Sequence, residues 1–418
     1  MSFNYKPSFW AQDLAPRRTE ALSSHVKADV AIVGGGFAGL SAAHYIKQAK
    51  PDLDVVVLEA EHTGFASNGR NFGVVCPGIR EMADPNTLDP AEAESIRFVS
   101  EWLLAERREL EGRIRNAGID ADFREEPTLV EALDEVEKTG LQRMSQVFDG
   151  RGTPHRLLGE EEMRECVPYP AKSGLVLEAW RLVQPWRLAR GIRDEVLSQE
   201  VKLYEGTRVD RIEPGAPAVV HTEAGGSVTA GKVVVATNAY TPRLQLPGLP
   251  EKLVYAMHTH VIATEKLDAG QRAELGFNRF QCVIGSGMLF YYQRVYDDRL
   301  LLGGGTEMFK PSTLDTAADQ REDEYVRLQA ELVRRFPFLK EVKIDTAWGG
   351  PVALTRSGLP IVMELPEAQN VILSVGCNGE GITLMNAAGK QVQGLVLGER
   401  YTDTDAERVR QYYVAGLS

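Results

Sequence analysis

Apolar residues follow two rhythms along this chain: short runs that stop at glycine, and stripes at helical spacing. Val30 to Val33 is such a run. It ends at Gly34, and small and apolar residues continue through Ile46, predicting strand, tight turn and helix. "DLDVVVLEA", residues 52–60, predicts a second strand. "LVQPWRLARGI" predicts a helix, "VKLYEGTRVDRIEP" strand, turn and strand, and "KVVVATNAYTP" a further strand closing at Thr237 and Asn238. "NVILSVGCNGEGITLMNAAGKQVQGLVLG", residues 370–398, repeats the opening pattern, with Gly376, Gly379 and Gly381 between strand and long helix. Residues 89–118 form an amphipathic helix whose Ile96, Val99, Leu103, Leu110 and Ile114 recur at roughly three to four. A charged helix follows at "EALDEVEKTGLQRMSQVF". "LVYAMHTHVIATEKL" and "GMLFYYQRVYDDRLLLGGG" are rich in β-branched and aromatic residues and predict antiparallel strands. There is no internal repeat and no low-complexity stretch.

Length and charge narrow the classes. A chain of 418 residues suits two domains. With 47 basic against 59 acidic residues, the net charge of -12 disfavours nucleic acid and anionic lipid as partners. No apolar run reaches the ~20 residues of a membrane span, and the first 25 residues show no signal-peptide core. Cys76, Cys166, Cys282 and Cys377 are scattered without a CxxC pair, which points to reduced thiols, no metal site and a cytoplasmic protein.

Gly34, Gly36 and Gly39 match GxGxxG. In that motif the first glycine permits the turn, the second lets backbone approach a pyrophosphate, and the third lets helix pack on strand. Glu59 ends the second strand 20 residues after Gly39, where a carboxylate accepts from ribose hydroxyls and repels a 2′-phosphate. NAD or FAD is therefore favoured over NADP. "GFASNGRNFG", residues 64–73, is a loop of small polar residues suited to passing under a flat ring, which a simple NAD dehydrogenase does not need.

Taken in order, Gly34, Gly36, Gly39, Glu59, "ASNGRN", "VQP", "VVVATNAYTP", "YYQRVYDDRLLLGGG", "WGGPVALTRSGLP" and "GCNGEGITL" resemble the D-amino-acid-oxidase-like superfamily of FAD enzymes over essentially the whole chain. The opening "SFWAQDL" and the "GRN" of the loop resemble its γ-glutamylputrescine-oxidase-like subgroup. The resemblance implies a mixed α/β (α+β) fold, a Rossmann-type FAD-binding domain interleaved with an antiparallel-sheet substrate domain. Residues 1–85, 185–245 and 345–418 are expected in the first, and 86–184 and 246–344 in the second. It further implies that FAD contacts come from Gly34, Gly36, Phe37, Ala38, Gly39, Glu59, Ala60, Ser67, Arg70, Asn71, Gly73, Val209, Thr237, Asn238, Gly379, Gly381, Ile382 and Thr383. The expected reaction is oxidation of a small primary or secondary amine to an imine by hydride transfer to the flavin. The imine then hydrolyses to a carbonyl, and oxygen or another electron acceptor reoxidises the flavin. The helix beginning near Gly381 would stabilise negative charge on the reduced ring.

Departures from the family pattern sharpen this. Where amino-acid-oxidising members carry a carboxylate-gripping arginine before T-x-x-G-x-P, this chain has Val352. Where sarcosine oxidases carry a second, lysine clamp, it has Thr383, and where they tether flavin through cysteine it has Gly350, so FAD is expected to be non-covalent. Their oxygen-activating lysine corresponds to Leu301. Arg80 and Arg356 are alternative anion binders or surface residues, and Glu380 is an unusual charge in the second glycine turn. Tyr291 and Tyr292 are neighbours on a strand, so only one faces the flavin; Tyr291 is the expected one. His258 and His260 share a strand face and are candidates to accept protons, with a packed pair as the alternative and no third metal ligand in evidence. Two other readings stay open: an amino-acid or 2-hydroxy-acid dehydrogenase that reduces a quinone, and a flavoprotein subunit of a hetero-oligomeric dehydrogenase.

Overall fold

The computed structural model describes residues 3–11, 18–77, 90–250, 253–287, 291–305, 314, 316–355 and 360–399. Arg80 and Arg356 lie outside them.

Two eight-stranded sheets organise the molecule. The first runs Ile361–Leu365, Ala368–Val375, Ser227–Val235, His25–Val33, Val55–Leu58, Lys202–Tyr204. Along this path the pairings are parallel except for the outermost, Ile361–Leu365 on Ala368–Val375. A hairpin, Val209–Glu213 and Ala218–Thr222, extends from Ser227–Val235. Val30 to Val33 and Val55 to Leu58 are continuously buried because helices cover both faces of a parallel sheet. The helix Phe37–Ala49 packs against Gly381–Leu397 so closely that a Cβ on Gly389 would stand 2.7 Å from the Ser41 backbone.

The second sheet runs Ile344–Leu354, Tyr255–Thr264, Arg299–Gly304, Tyr291–Tyr296, Cys282–Gly285, Thr128–Ala132, Ser173–Leu177, His155–Leu158. Only the Cys282–Gly285 and Thr128–Ala132 pair is parallel. The helix Glu322–Arg335 covers one face through Tyr325, Leu328 and Leu332. The other face meets the first half of the molecule through Phe9, Trp10, Trp186, Val261, Leu301 and Trp348.

Two expected boundaries are redrawn. Ile344–Leu354 pairs with Tyr255–Thr264 along its length, so the return to the first sheet comes after Leu354 rather than at residue 345. The long helix Pro90–Asn116, expected with the substrate domain, places Leu103, Leu110 and Ile114 in the core of the first sheet. Its apolar stripe fixes that it covers a sheet, not which one.

Candidate active site

The first glycine turn is built for close approach. Gly34 has φ +112°, and a Cβ there would lie 2.6 Å from the Ala236 carbonyl oxygen; one on Gly39 would lie 1.9 Å from the Gly34 oxygen. A Cβ on Gly36, by contrast, would meet nothing within 4 Å, and the same holds for Gly379 in the second turn. Two glycine turns therefore present open backbone at the starts of two helices, where Phe37, Ala38, Ile382 and Thr383 occupy the first turns. Unpaired N–H groups there favour anionic oxygens.

Glu59 sits beside the first turn. One of its carboxylate oxygens accepts from the Gly35 N–H at 2.8 Å and the other from the Glu61 N–H at 3.0 Å. Burial pushes its pKa up, partly offset by those two bonds. Ala60 follows it, half-buried, and Thr207, two residues before the buried Val209, donates its N–H to the Glu59 carbonyl.

Asn238, just after the strand Ser227–Val235, is tied to the second glycine turn. At φ +48° its side-chain oxygen accepts from the N–H groups of Gly376 (3.0 Å) and Cys377 (3.2 Å), while its amide approaches the Cys377 sulfur at 3.1 Å. Thr237 is tied to Thr241 by a 2.9 Å hydroxyl contact. All four cysteines are buried and unbridged.

The loop after Glu59 forms a single helical turn, Ser67–Arg70. Asn71 is spent inside it, donating to the Ser67 and Asn68 carbonyls and accepting from the Gly73 N–H. Gly73, at φ +77°, is pressed against Arg294 and Val183. Arg70 reaches outward: Nη1 donates to Asp319 at 2.8 Å and to the Gly349 carbonyl at 3.0 Å. A Cβ on Gly350 would stand 3.4 Å from Arg70 Cδ.

Strand register decides which second-sheet residues face that loop. Val261 pairs with Gly303 and with Trp348, and Gly303 pairs with Tyr292. With the two-residue period, Thr259, Val261, Leu301, Tyr292, Trp348, Gly350 and Val352 share one face. The Tyr292 ring meets Phe72 of the loop at 4.5 Å, and Trp348 Nε1 donates to the Arg70 carbonyl at 3.0 Å. Tyr291, His258 and His260 lie on the opposite face. Tyr291 packs into the core under Glu322–Arg335, and its hydroxyl accepts from Arg327 at 3.0 Å. His258 Nε2 lies 3.0 Å from Asp319, and His260 Nε2 2.8 Å from the Ala318 carbonyl, with burial lowering the pKa of His260. Tyr291, His258 and His260, the residues expected to act at the flavin, therefore lie on the face turned away from this loop. Tyr292 holds the loop-facing position, its hydroxyl 2.5 Å from Thr259 Oγ1 and its pKa raised by burial to about 12.

Two strand arginines share the loop-facing side. Arg294 Nη1 donates to the Phe72 and Val183 carbonyls at 2.8 Å, while its Nε and Nη2 are buried without a partner among the described residues, and Arg299 pairs with Asp345 at 3.2 Å. Val352 packs against the first core. Among the described residues no group of three His, Cys, Asp or Glu is placed to hold a metal, and no helix is long and apolar enough to cross a membrane.

Two open glycine turns, a ribose-type carboxylate, and Arg70 Nε and Thr383 Oγ1, which are among the buried polar atoms without a partner in the described residues, fit an extended dinucleotide. Neither Asp319 nor Tyr292 was an expected site residue. Asp319 belongs to no motif, and Tyr292 differs from its neighbour only in strand phase.

Comparison with known proteins agrees. Residues 29–395 match the family model described as FAD dependent oxidoreductase, DAO. Gamma-glutamylputrescine oxidoreductase of Escherichia coli (strain K12) is 30% identical over 392 residues, covering 93% of this chain and 87% of that protein. Glycine oxidase of Geobacillus kaustophilus (strain HTA426) is 26% identical, covering 88% and 92%. Among solved structures, glycine oxidase from Geobacillus kaustophilus superposes with a TM-score of 0.72 at 23% identity, covering 92% of this chain and 98% of that one. L-Proline dehydrogenase from P. horikoshii gives 0.73 at 20%, covering 94% and 100%. At those identities the superpositions show the fold.

Proposed function

The chain belongs to the DAO family of FAD-dependent oxidoreductases, and from that premise we propose that it oxidises a small primary or secondary amine whose reacting carbon bears no carboxylate. The product imine hydrolyses to a carbonyl compound and an amine or ammonia; dioxygen takes the two electrons and leaves as hydrogen peroxide. Bound FAD supplies the hydride acceptor.

The carrying observation is the loop-facing side of the second sheet. Val352, Gly350, Thr259 and Tyr292 carry no charge, and of the two strand arginines described on that face Arg299 is paired with Asp345 while Arg294 is buried, its Nη1 held by the Phe72 and Val183 carbonyls. A carboxylate held there without a counter-charge costs several kcal/mol of desolvation. A neutral amine does not incur that cost. The residues that would hold FAD are the glycine turns for the pyrophosphate, Glu59 for the ribose, and the Gly64 to Gly73 loop for the ring. The 17-residue helix Gly381–Leu397 would offer its N-terminal N–H groups to negative charge on the reduced ring. With Gly350 in the tether position the cofactor is held without a covalent bond, so acid or heat releases it intact. A cytoplasmic location is part of the same reading.

The test is an anaerobic screen. Amines, amino acids and 2-hydroxy acids are added to the purified holoprotein while flavin absorbance is followed. Bleaching by amines, with peroxide formed on admitting air, supports the proposal. Bleaching by amino or hydroxy acids alone contradicts it.

A further inference from the structure

Arg70 is buried, with a side chain only 8% exposed, and among the described residues its charge has a single acidic partner at ion-pair distance, Asp319. The guanidinium lies 4.5 Å from the Phe65 ring centroid. Asp319 is itself gripped on the far side: His258 Nε2 stands 3.0 Å from Oδ1, and the Tyr325 hydroxyl donates to the Asp319 carbonyl. Among the described residues Arg70 Nε is buried with no hydrogen-bond partner, at the end of the Ser67–Arg70 turn.

Position adds to this. Tyr240 follows the central strand Ser227–Val235, at the carboxyl ends of the parallel strands, where ligands of such sheets bind. It feels the charges of Arg70, Asp319 and Glu59 together. The pair therefore stands at the same mouth of the sheet as the ribose carboxylate, and beside Gly350.

We infer that Asp319 is a positioning residue for the flavin loop. It fixes the Arg70 guanidinium so that Nε–H is presented to bound FAD, and it balances the arginine charge that the flavin experiences. His258 takes its place in this scheme as the group that immobilises Asp319 from the substrate sheet, not as a proton acceptor for substrate. The inference rests on the FAD-binding reading and not on the identity of the amine.

The charge balance gives the test a sign. Reduction adds negative charge to the flavin, so a more positive neighbourhood favours the reduced form. Asp319→Asn keeps an oxygen for Arg70 but removes the anion, leaving net positive charge, and raises the midpoint potential of bound FAD. Arg70→Met removes the cation, leaves Asp319 charged, and lowers the potential. The double variant removes both and returns toward wild type. Potentials are read by dye equilibration during anaerobic chemical reduction, with no amine present, so the outcome stands whatever the substrate screen shows. FAD content and melting temperature establish that each variant is folded and loaded; where Arg70→Met holds too little FAD, Arg70→Gln with excess FAD replaces it. Opposite shifts support the inference. Shifts of the same sign, or none in Asp319→Asn, overturn it.

Discussion

Removing the Glu59 carboxylate separates cofactor affinity from protein stability. Ionised, the group has about four acceptor sites. Two are taken by the Gly35 and Glu61 N–H groups, at 2.8 and 3.0 Å, which leaves two for ribose hydroxyls. Hydrogen bonds to a charged group are worth ~1.5–3 kcal/mol. In Glu59→Ala water recovers part of the loss, so one such bond is the net expectation. At 1.4 kcal/mol per decade, FAD binding weakens roughly tenfold to 150-fold. Stability of the apoprotein moves much less, because two opposing terms change together. Two backbone donors lose their partner, while a desolvated carboxylate, whose pKa burial raises, is no longer held in the fold. The assay is titration of apoprotein with FAD, following flavin fluorescence, with melting of the apoprotein measured in parallel. An FAD dissociation constant within threefold of wild type would refute the ribose assignment. A large fall in melting temperature with unchanged affinity would show that Glu59 serves only the turn.

The same carboxylate sets a pH dependence. Its folded pKa is raised, so the folded apoprotein takes up the proton more readily than the unfolded chain, and Glu59 itself favours the fold less as pH rises through that pKa. FAD needs the ionised form, so affinity falls as pH drops through the raised pKa; Glu59→Gln flattens that limb, as FAD titrations across pH would show. Asn238→Ala strands the Gly376 and Cys377 N–H groups, costing about 1–3 kcal/mol each where they stay buried, and denaturant unfolding should record a clear loss of stability. Tyr292→Phe, on the loop-facing side, should lower kcat/KM for amines, whereas Tyr291→Phe, tied to Arg327, should leave it near wild type in steady-state assays. Val352→Arg should improve amino-acid turnover, because it adds a cation beside Gly350 on the loop-facing side.

Much of this was legible in the sequence where a local rule has one solution. The parallel sheet follows from apolar runs that stop at glycine, and Gly34 and Gly39 are forced by contacts of 2.6 and 1.9 Å that no side chain tolerates. Glu59 was placed by its distance from the turn. What escaped the sequence depends on phase or on long-range assembly. "YY" satisfies a strand pattern in either phase, and only the pairing with Gly303 and Gly304 decides that Tyr292 faces the loop. His258 and His260 were correctly set on one face, but which sheet face meets the flavin loop is a tertiary fact. The side chain of Asn238 ties its own turn to the glycine turn at Gly376, 138 residues on, a contact that no local pattern announces. Asp319 has no local signature, since its partner Arg70 is 249 residues away.

The central claim, that this site oxidises amines and rejects a carboxylate on the reacting carbon, is tested most directly by a matched pair of substrates. Butylamine and norvaline differ only by that carboxylate. Rapid-mixing measurement of anaerobic flavin reduction gives a second-order constant for butylamine and for each norvaline enantiomer. A penalty of ~3 kcal/mol corresponds to a factor of a hundred or more. Butylamine is predicted to reduce the flavin at least a hundredfold faster than either enantiomer. Norvaline reduction equal to or faster than butylamine would contradict the account, and would mean that a carboxylate clamp exists on the face that Val352 occupies.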